Sequence, residues 1–350
     1  MTMQPGIASL ALLFGLASTA VAQTAELTLL DQTSRTPIAG AIVRLVASGR
    51  AVTQGLTNEQ GRLALKPPAP GTYQVRIDRT GFSGVSLNEI KIEADVVLRR
   101  TLLLPNNRTN LPSIVVSRRT SCEATSDGGI AAVALWKEVE KALSANVITQ
   151  ESGEFPLRVR EFRREVARSG EVLSEQEIRS SIVAGVPFSA LPASLLATQG
   201  FVTQDRRSQE VVFAAPDAAT LLSDEFVTTH CFRVASVGDS LVGLAFEPAR
   251  NRRLSDVKGT LWMDRVTYAL KRLDYSYIRV DPSYQLPDVG GRLEFSALPS
   301  GAWIVSYWYV RMPNLEPAFR RGFEYIDQGG RAELAEPRRP IPAFSAAGGG

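Results

Sequence analysis

Hydrophobic positions along this 350-residue chain fall into three patterns. Residues Ile7 to Ala22 are almost wholly apolar, most of the remaining chain alternates apolar and polar positions in short runs, and one helical stripe interrupts those runs near the middle. In the first part the alternation predicts strands over Glu26 to Leu30, Ala41 to Val46, Arg62 to Leu65, Tyr73 to Asp78 and Val96 to Leu103, each bounded by Gly, Pro, Asn or Ser. Such spacing describes a small all-β sandwich. Pro37 and Gly40 fit a turn feeding a strand whose Ala41, Val43 and Leu45 share a face. Asn58 and Gly61 suit a tight hairpin connection, and Gly71 reopens the chain into a strand after Pro68 and Pro70.

Pro105 to Pro112 is polar and bounded by prolines, which marks a linker after residues 25–104. Leu111 to Val116 resembles a short apolar strand of the kind that follows such a module. From Gly129 to Ala145 the residues Ala132, Leu135, Trp136, Val139, Ala142 and Leu143 form one helical stripe, with Asp127 placed to cap it. Glu138 and Glu140 stand about 200° apart on that helix and read as solvated surface rather than an acid pair. Turn signals then recur at Arg168 to Glu171, Asp205 to Ser208, Gly238-Asp239, Asp264 to Thr267 and Pro299 to Gly301, the signature of an antiparallel meander. Two short helices break it, one near Pro192 to Thr198 ending at Gly200, the other near Ala218 to Phe226 with Asp217 as its cap.

The last strands are aromatic. In residues 302–312 one parity holds Trp303, Val305, Tyr307, Tyr309 and Arg311, the other Ile304, Ser306, Trp308 and Val310, so both faces are largely apolar. Tyr275, Tyr277 and Trp262 lie on neighbouring runs. Either these side chains fill a core, or Trp262, Tyr275, Tyr277, Trp303, Tyr307 and Trp308 line a concave sheet that holds a lipid, a glycan or another apolar chain. From Pro313 to Gly350 the chain is rich in Pro, Arg and Gly and reads as a flexible tail. The predicted fold is mainly β: a sandwich over 25–104, a linker over 105–112, and an α+β domain over 113–312. In the latter a curved antiparallel sheet packs on one longer and two short helices.

The three motifs Thr36-Pro37-Ile38-Ala39-Gly40-Ala41-Ile42-Val43-Arg44-Leu45, Thr57-Asn58-Glu59-Gln60-Gly61-Arg62-Leu63 and Pro68-Ala69-Pro70-Gly71-Thr72-Tyr73-Gln74-Val75, in that order, resemble the carboxypeptidase regulatory-like domain, a transthyretin-like sandwich. Asn58 stands where Asp is commoner and Leu63 where Phe is. The resemblance implies an accessory module with a carbohydrate-binding-like fold, found in exported bacterial proteins, and it carries over no catalytic residue. Gly259-Thr260-Leu261-Trp262-Met263-Asp264, with Ala269 to Leu273, Gly291 to Phe295 and Gly301-Ala302-Trp303, resembles the late strands of the lipoprotein-carrier-like (LolA/LolB-like) half-barrel, and implies a sheet wrapped around helices.

Composition narrows the function. Ile7 to Ala22 is short for a membrane span and ends in Ala20-Val21-Ala22, so residues 1–22 read as a cleaved signal peptide rather than an anchor, leaving no transmembrane helix in the mature chain. Export to the periplasm, the outer membrane or the medium makes a Cys122–Cys231 disulfide the leading reading of the two cysteines. Inert thiols, or a Cys231 nucleophile beside His230, are the alternatives. One His in the whole chain rules out a metal site built on two imidazoles, the zinc peptidase site included, and no cofactor or metal is expected. A net charge of +3 gives no basic excess for nucleic acid. A hydrolase would need a carboxylate pair from Asp217, Asp224, Glu225 and Asp256. The expectation is therefore a non-enzymatic binding or envelope-assembly protein whose partner is a glycan, a lipid or an outer-membrane protein. Carbohydrate binding by the sandwich and lipid carriage by the curved sheet are its alternatives.

Overall fold

The computed structural model describes residues 23–109, 128–204, 210–237, 240–284, 286–315 and 323–335. Residues 1–22, expected to be a signal peptide, Leu111 to Val116, Cys122, Asp127 and residues 336–350 lie outside them, as do the turn residues at 205–208 and 238–239.

Seven strands make the amino-terminal sandwich: β1 (Thr24–Asp31), β2 (Ile42–Ala47), β3 (Arg50–Leu56), β4 (Arg62–Leu65), β5 (Gly71–Arg79), β6 (Phe82–Ile92) and β7 (Val97–Leu104). One sheet has the order β4-β1-β7, with β1 and β7 parallel, and the other β3-β2-β5-β6. Leu27 and Leu29 from the first face Val43, Leu45, Val75 and Ile77 from the second across a shared apolar core. The expected strands form, and Ala41, Val43 and Leu45 do share the core. β3 and β6 were not anticipated, because their mostly exposed positions carry little alternation. The turn at Asn58 and Gly61 is tight, with Gly61 N–H donating to the Asn58 carbonyl at 2.8 Å. It is not a hairpin, since β3 pairs with β2 and β4 with β1, so the turn carries the chain from one sheet to the other.

The second part begins with α1 (Gly128–Ser152) and continues through β8 (Pro156–Val166), β9 (Val172–Ala184), α2 (Ala193–Gln199), β10 (Val202–Gln204), β11 (Val211–Phe213), α3 (Ala218–Leu222), α4 (Asp224–Thr229), β12 (His230–Val237), β13 (Leu241–Pro248), β14 (Asp256–Asp264), β15 (Leu270–Ile278), β16 (Gly290–Ala297), β17 (Trp303–Pro313) and β18 (Tyr325–Leu334). A nine-stranded antiparallel sheet runs β12-β13-β14-β15-β16-β17-β18-β8-β9. α1 touches both β12 and β17, the first and sixth strands. In a flat sheet those strands would stand about 24 Å apart. A helix only about 10 Å across can meet both only if the sheet wraps around it.

Four expectations are corrected. α1 runs past Ala145 to Ser152, and its last turns are tied to β17: Asn146 Nδ2 donates to the Trp303 carbonyl at 3.0 Å, leaving Asn146 Oδ1 unpaired among the described residues, and Thr149 Oγ1 accepts from Trp303 N at 3.0 Å. Glu138 is not solvated surface but 1% exposed, while Glu140 is exposed. The helix over Ala218 to Phe226 is two helices, with Ser223 ending α3 and capping α4 through its hydroxyl. Lastly, the supposed tail from Pro313 contains β18, which fills the gap between β17 and β8 and so completes the sheet. Gly329 and Gly330 look like breakers in the sequence. In the sheet they leave room for the rings of Phe162 and Trp308, which a Cβ at those positions would overlap. Gly330→Ala is expected to cost roughly 1–3 kcal/mol by displacing the indole, read from the midpoint of urea unfolding.

The two parts are joined. Ile42 and Leu56, paired on the back of β2 and β3, reach the core of the second part. The turns at Gly40 and Gly301 abut backbone to backbone, so that a Cβ on Gly301 would collide with the Gly40 amide. Glu138 on α1 accepts hydrogen bonds from Gly81 N (2.7 Å), Thr109 Oγ1 (3.0 Å) and Lys141 Nζ (2.7 Å), and Lys141 also donates to the Phe82 carbonyl at 2.6 Å. Gly81 and Phe82 form the β5–β6 turn, so this polar latch fastens the sandwich to the helix.

Candidate functional site

The central strands of the sheet turn one side to the core that contains α1 and the other outward. The inner side takes Leu261 and Met263 from β14, Leu273, Tyr275 and Tyr277 from β15, Leu293 and Phe295 from β16, and Trp303, Val305 and Trp308 from β17. Trp303 and Trp308 share this side although their sequence parity differs. Glu294 pairs with Tyr307 and Phe295 with Val305, which leaves Ser306 without an opposite residue, and that bulge reverses the alternation. Of the six aromatics expected to face a ligand, Tyr275, Tyr277, Trp303 and Trp308 are therefore buried in the core. The Tyr277 hydroxyl donates to the Ala214 carbonyl at 2.9 Å, and burial pushes both tyrosines above their ordinary pKa.

Trp262 and Tyr307 stand on the outer side, in a register that continues across seven strands. One row reads Trp262, Arg272, Glu294, Tyr307, Arg331, Arg160 and Ser180 from β14 to β9. The next reads Thr260, Asp274, Arg292, Tyr309, Gly329, Phe162 and Glu177. Guanidinium groups cover the rings: Arg164 and Arg331 lie 4.1 and 4.8 Å from the Phe162 centroid, and Arg272 lies 5.3 Å from Trp262. Phe162 and Tyr307 stack at 5.9 Å.

Carboxylates hold those arginines in place. Glu175 accepts from Arg164 at 2.6 Å and from Arg331 at 2.9 Å, Asp274 accepts from Arg272 and Arg292, and Asp327 receives both arms of Arg311 at 2.7 and 2.9 Å. Arg164 also donates to the Tyr307 hydroxyl at 2.7 Å. The Arg331 hydrogen bond, aided by Arg164 and opposed by partial burial, lowers Glu175 from 4.5 to about 2. A carboxyl depressed in the fold stabilises it above the unfolded value and loses that contribution as pH falls through the folded one. The cluster is thus expected to persist at pH 4 and to open near pH 2, as followed by the Glu175 carboxyl resonance in a pH titration by NMR.

The sequence pointed to Trp262 and Tyr307 but missed Phe162, Tyr309 and the arginines. Their alternation within single strands was visible. Their alignment depends on strand order and on the late insertion of β18.

The remaining candidates part company. Asp217 caps α3 by accepting from Thr220 N and also accepts from Ala190 N. Asp224 and Glu225 are exposed in the first turn of α4. Asp256 is fully buried between His230 and Arg252, with its Oδ1 3.2 Å from His230 Nε2 and its Oδ2 bonded to Arg252 Nε. His230 Nδ1 lies 3.0 Å from the Phe226 carbonyl, and Arg252 also donates to the carbonyls of Leu196 and Ala197. Every member of this cluster is occupied by structural contacts. Cys231 pairs with Glu247 in the β12–β13 ladder, on the strand position after His230. Among the described residues no group of three or more His, Cys, Asp or Glu is placed to hold a metal ion, and no helix is long and apolar enough to cross a membrane.

No family model and no curated protein matches the sequence. Among solved structures, a type II cohesin–X-dockerin complex from Acetivibrio cellulolyticus matches at 25% identity over 23% of this chain and 52% of that one, with a TM-score of 0.19. This chain thus spans about half the length of that match. The 5-hydroxyisourate hydrolase of Klebsiella pneumoniae matches at 20% identity over 25% of this chain and 99% of its own, with a TM-score of 0.21. A DUF1329 family protein from Desulfovibrio piger matches at 14% identity over 56% and 91%, with a TM-score of 0.23. Likenesses this weak carry no argument about fold or function.

Proposed function

We propose that this chain is an exported, non-enzymatic binding or assembly protein of the bacterial envelope, and that it engages its partner through the outer face of the curved sheet. The observation that carries this reading is the division of the aromatics. The inner four belong to a packed core, which favours a scaffold over a carrier with an apolar hold, while Trp262, Tyr307 and Tyr309 stand partly exposed among ordered arginines. Tyr, Trp and Arg supply most of the energy at protein interfaces, and ion pairs that fix them in advance lower the entropy lost on binding. Export rests on the apolar leader, and a Cys122–Cys231 bridge in that compartment belongs to the same proposal.

The test is affinity capture from solubilised envelopes with wild-type protein and with Tyr307→Ala/Tyr309→Ala. A partner retained by the wild type and lost by the variant is expected. Equal capture by both would remove the face from consideration, and no capture by either would remove the binding reading. A second reading, glycan binding by the sandwich, is favoured by an open groove of about 630 Å³ over β1, β4 and β7, lined by Glu26, Arg62, Arg99 and Arg100. A glycan array probed with Arg62→Ala beside the wild type decides it, and a blank array would end it.

A further inference from the structure

The strand β9 closes one end of the nine-stranded sheet, and among the described residues one of its edges has no neighbour in the sheet order. It is 13 residues long, contains no proline or lysine, and exposes Val172, Leu173, Ile178 and Ile182, the last two by 54% and 56%. Soluble proteins shield long edges because their free N–H and C=O groups template pairing with another strand, and β9 carries two bulges and the charges Glu175, Glu177 and Arg179 but no cover from another strand among the described residues.

We infer that β9 pairs antiparallel with β9 of a second copy, joining two sheets into one across a two-fold axis. The register follows from the bulge at Ile178. Glu161 pairs with Arg179 and Phe162 with Glu177, so Ile178 has no opposite residue and the alternation of faces reverses between the two halves of β9. Outward residues of one half then meet outward residues of the other when the axis passes between Ile178 and Arg179. Glu177 stands opposite the partner's Ser180, Gln176 opposite the partner's Ser181, and Leu173 opposite the partner's Ala184. No like charges are opposed.

Charge fixes this choice of partner. Ser180 lies opposite Arg160 on β8, and Arg160 lies beside Arg331 on β18, two cations in adjacent places of the same row. Among the described residues the acid paired with Arg160 is the exposed Glu333, at 3.5 Å. In the dimer the partner's Glu177 continues the row beyond Ser180, about 10 Å from Arg160 along the sheet. Extended Arg and Glu side chains cross that gap over the short serine. Glu177 itself has no ion-pair partner among the described residues, so the contact forms twice, once on each side of the axis, without breaking an existing pair on the acid.

Sedimentation equilibrium of the purified protein tests this. A dimer with a dissociation constant of roughly micromolar order is expected. Glu177→Arg and Arg160→Glu should each weaken it about tenfold or more, and Glu177→Arg/Arg160→Glu should recover it, with circular dichroism confirming that each variant is folded. A monomer across the micromolar range overturns the inference. So does a dimer that neither charge reversal weakens, because its interface lies elsewhere, and so does a failure of the double variant to recover. None of these outcomes depends on whether the outer face binds a partner.

Discussion

Replacing Asp256 with alanine is expected to destabilise the protein by about 3–5 kcal/mol, the largest single effect anticipated here. Asp256 has no exposed surface, and its carboxylate is the common acceptor for His230, Arg252 and Val257 N. Removing it leaves the buried His230 ring nitrogen and the Arg252 guanidinium without the acceptor they share. The loss would spread along three elements. Arg252 closes the carboxy-terminal end of α2 by donating to the Leu196 and Ala197 carbonyls, the first of which also accepts from Gly200 N at 2.9 Å. His230 stacks on Phe226 of α4 at 3.8 Å and starts β12. For a unit of this size the melting temperature should fall by roughly 6–20 °C in a calorimetric scan. Asp256→Asn, which keeps the shape and one acceptor, should fall by less. A change under about 1 kcal/mol in Asp256→Ala would show that the network is incidental to the fold.

The same residue sets an acid limit. Burial works against the Asp256 charge, but the hydrogen bonds from His230 and Arg252 outweigh it and hold its pKa below 3.8. Its contribution is present above that unfolded value and is lost as pH falls through the folded one, so Asp256→Asn should flatten the decline in stability below about pH 4.

Glu138→Ala is expected to cost roughly 3 kcal/mol or more, whereas Glu140→Ala, two residues away on the same helix, should stay within about 0.5 kcal/mol. Glu138 accepts from Gly81 N, Thr109 Oγ1 and Lys141 Nζ at the junction of the two parts, and without it the mostly buried Lys141 ammonium keeps, among the described residues, the Phe82 carbonyl. Because Gly81 and Phe82 belong to the sandwich, the variant should also loosen the joint. Denaturant unfolding followed separately by sandwich and sheet probes should change from one transition toward two. Equal costs for the two glutamates would show that the latch holds nothing.

This pair shows where sequence reasoning stopped. A helical stripe predicts which residues face one core, and α1 obeys it at Leu135, Val139, Ala142 and Leu143. It cannot show that a second domain covers the helix from another side. Glu138 looked like any solvated acid until the β5–β6 turn was brought down onto it. The same limit hid the outer row. Tyr307 and Arg331 were legible as residues, but their adjacency requires a strand that composition presented as a tail.

Features that depend on neighbours a few residues apart could be read directly from the chain. Alternation and turn residues specified a β-rich protein with a sandwich first and a meander after it, and the helical stripe specified α1. Features that depend on contacts far along the chain emerged only in the folded molecule: the bulge at Ser306 that sends Trp303 and Trp308 inward together, the rings over Gly329 and Gly330 that make those glycines part of a strand, and the sheet order that leaves β9 at an edge. The difference is one of energy. Local pattern sets backbone preference at a cost of tenths of a kcal/mol per residue, whereas burial of a ring or a charge is worth several and can override it.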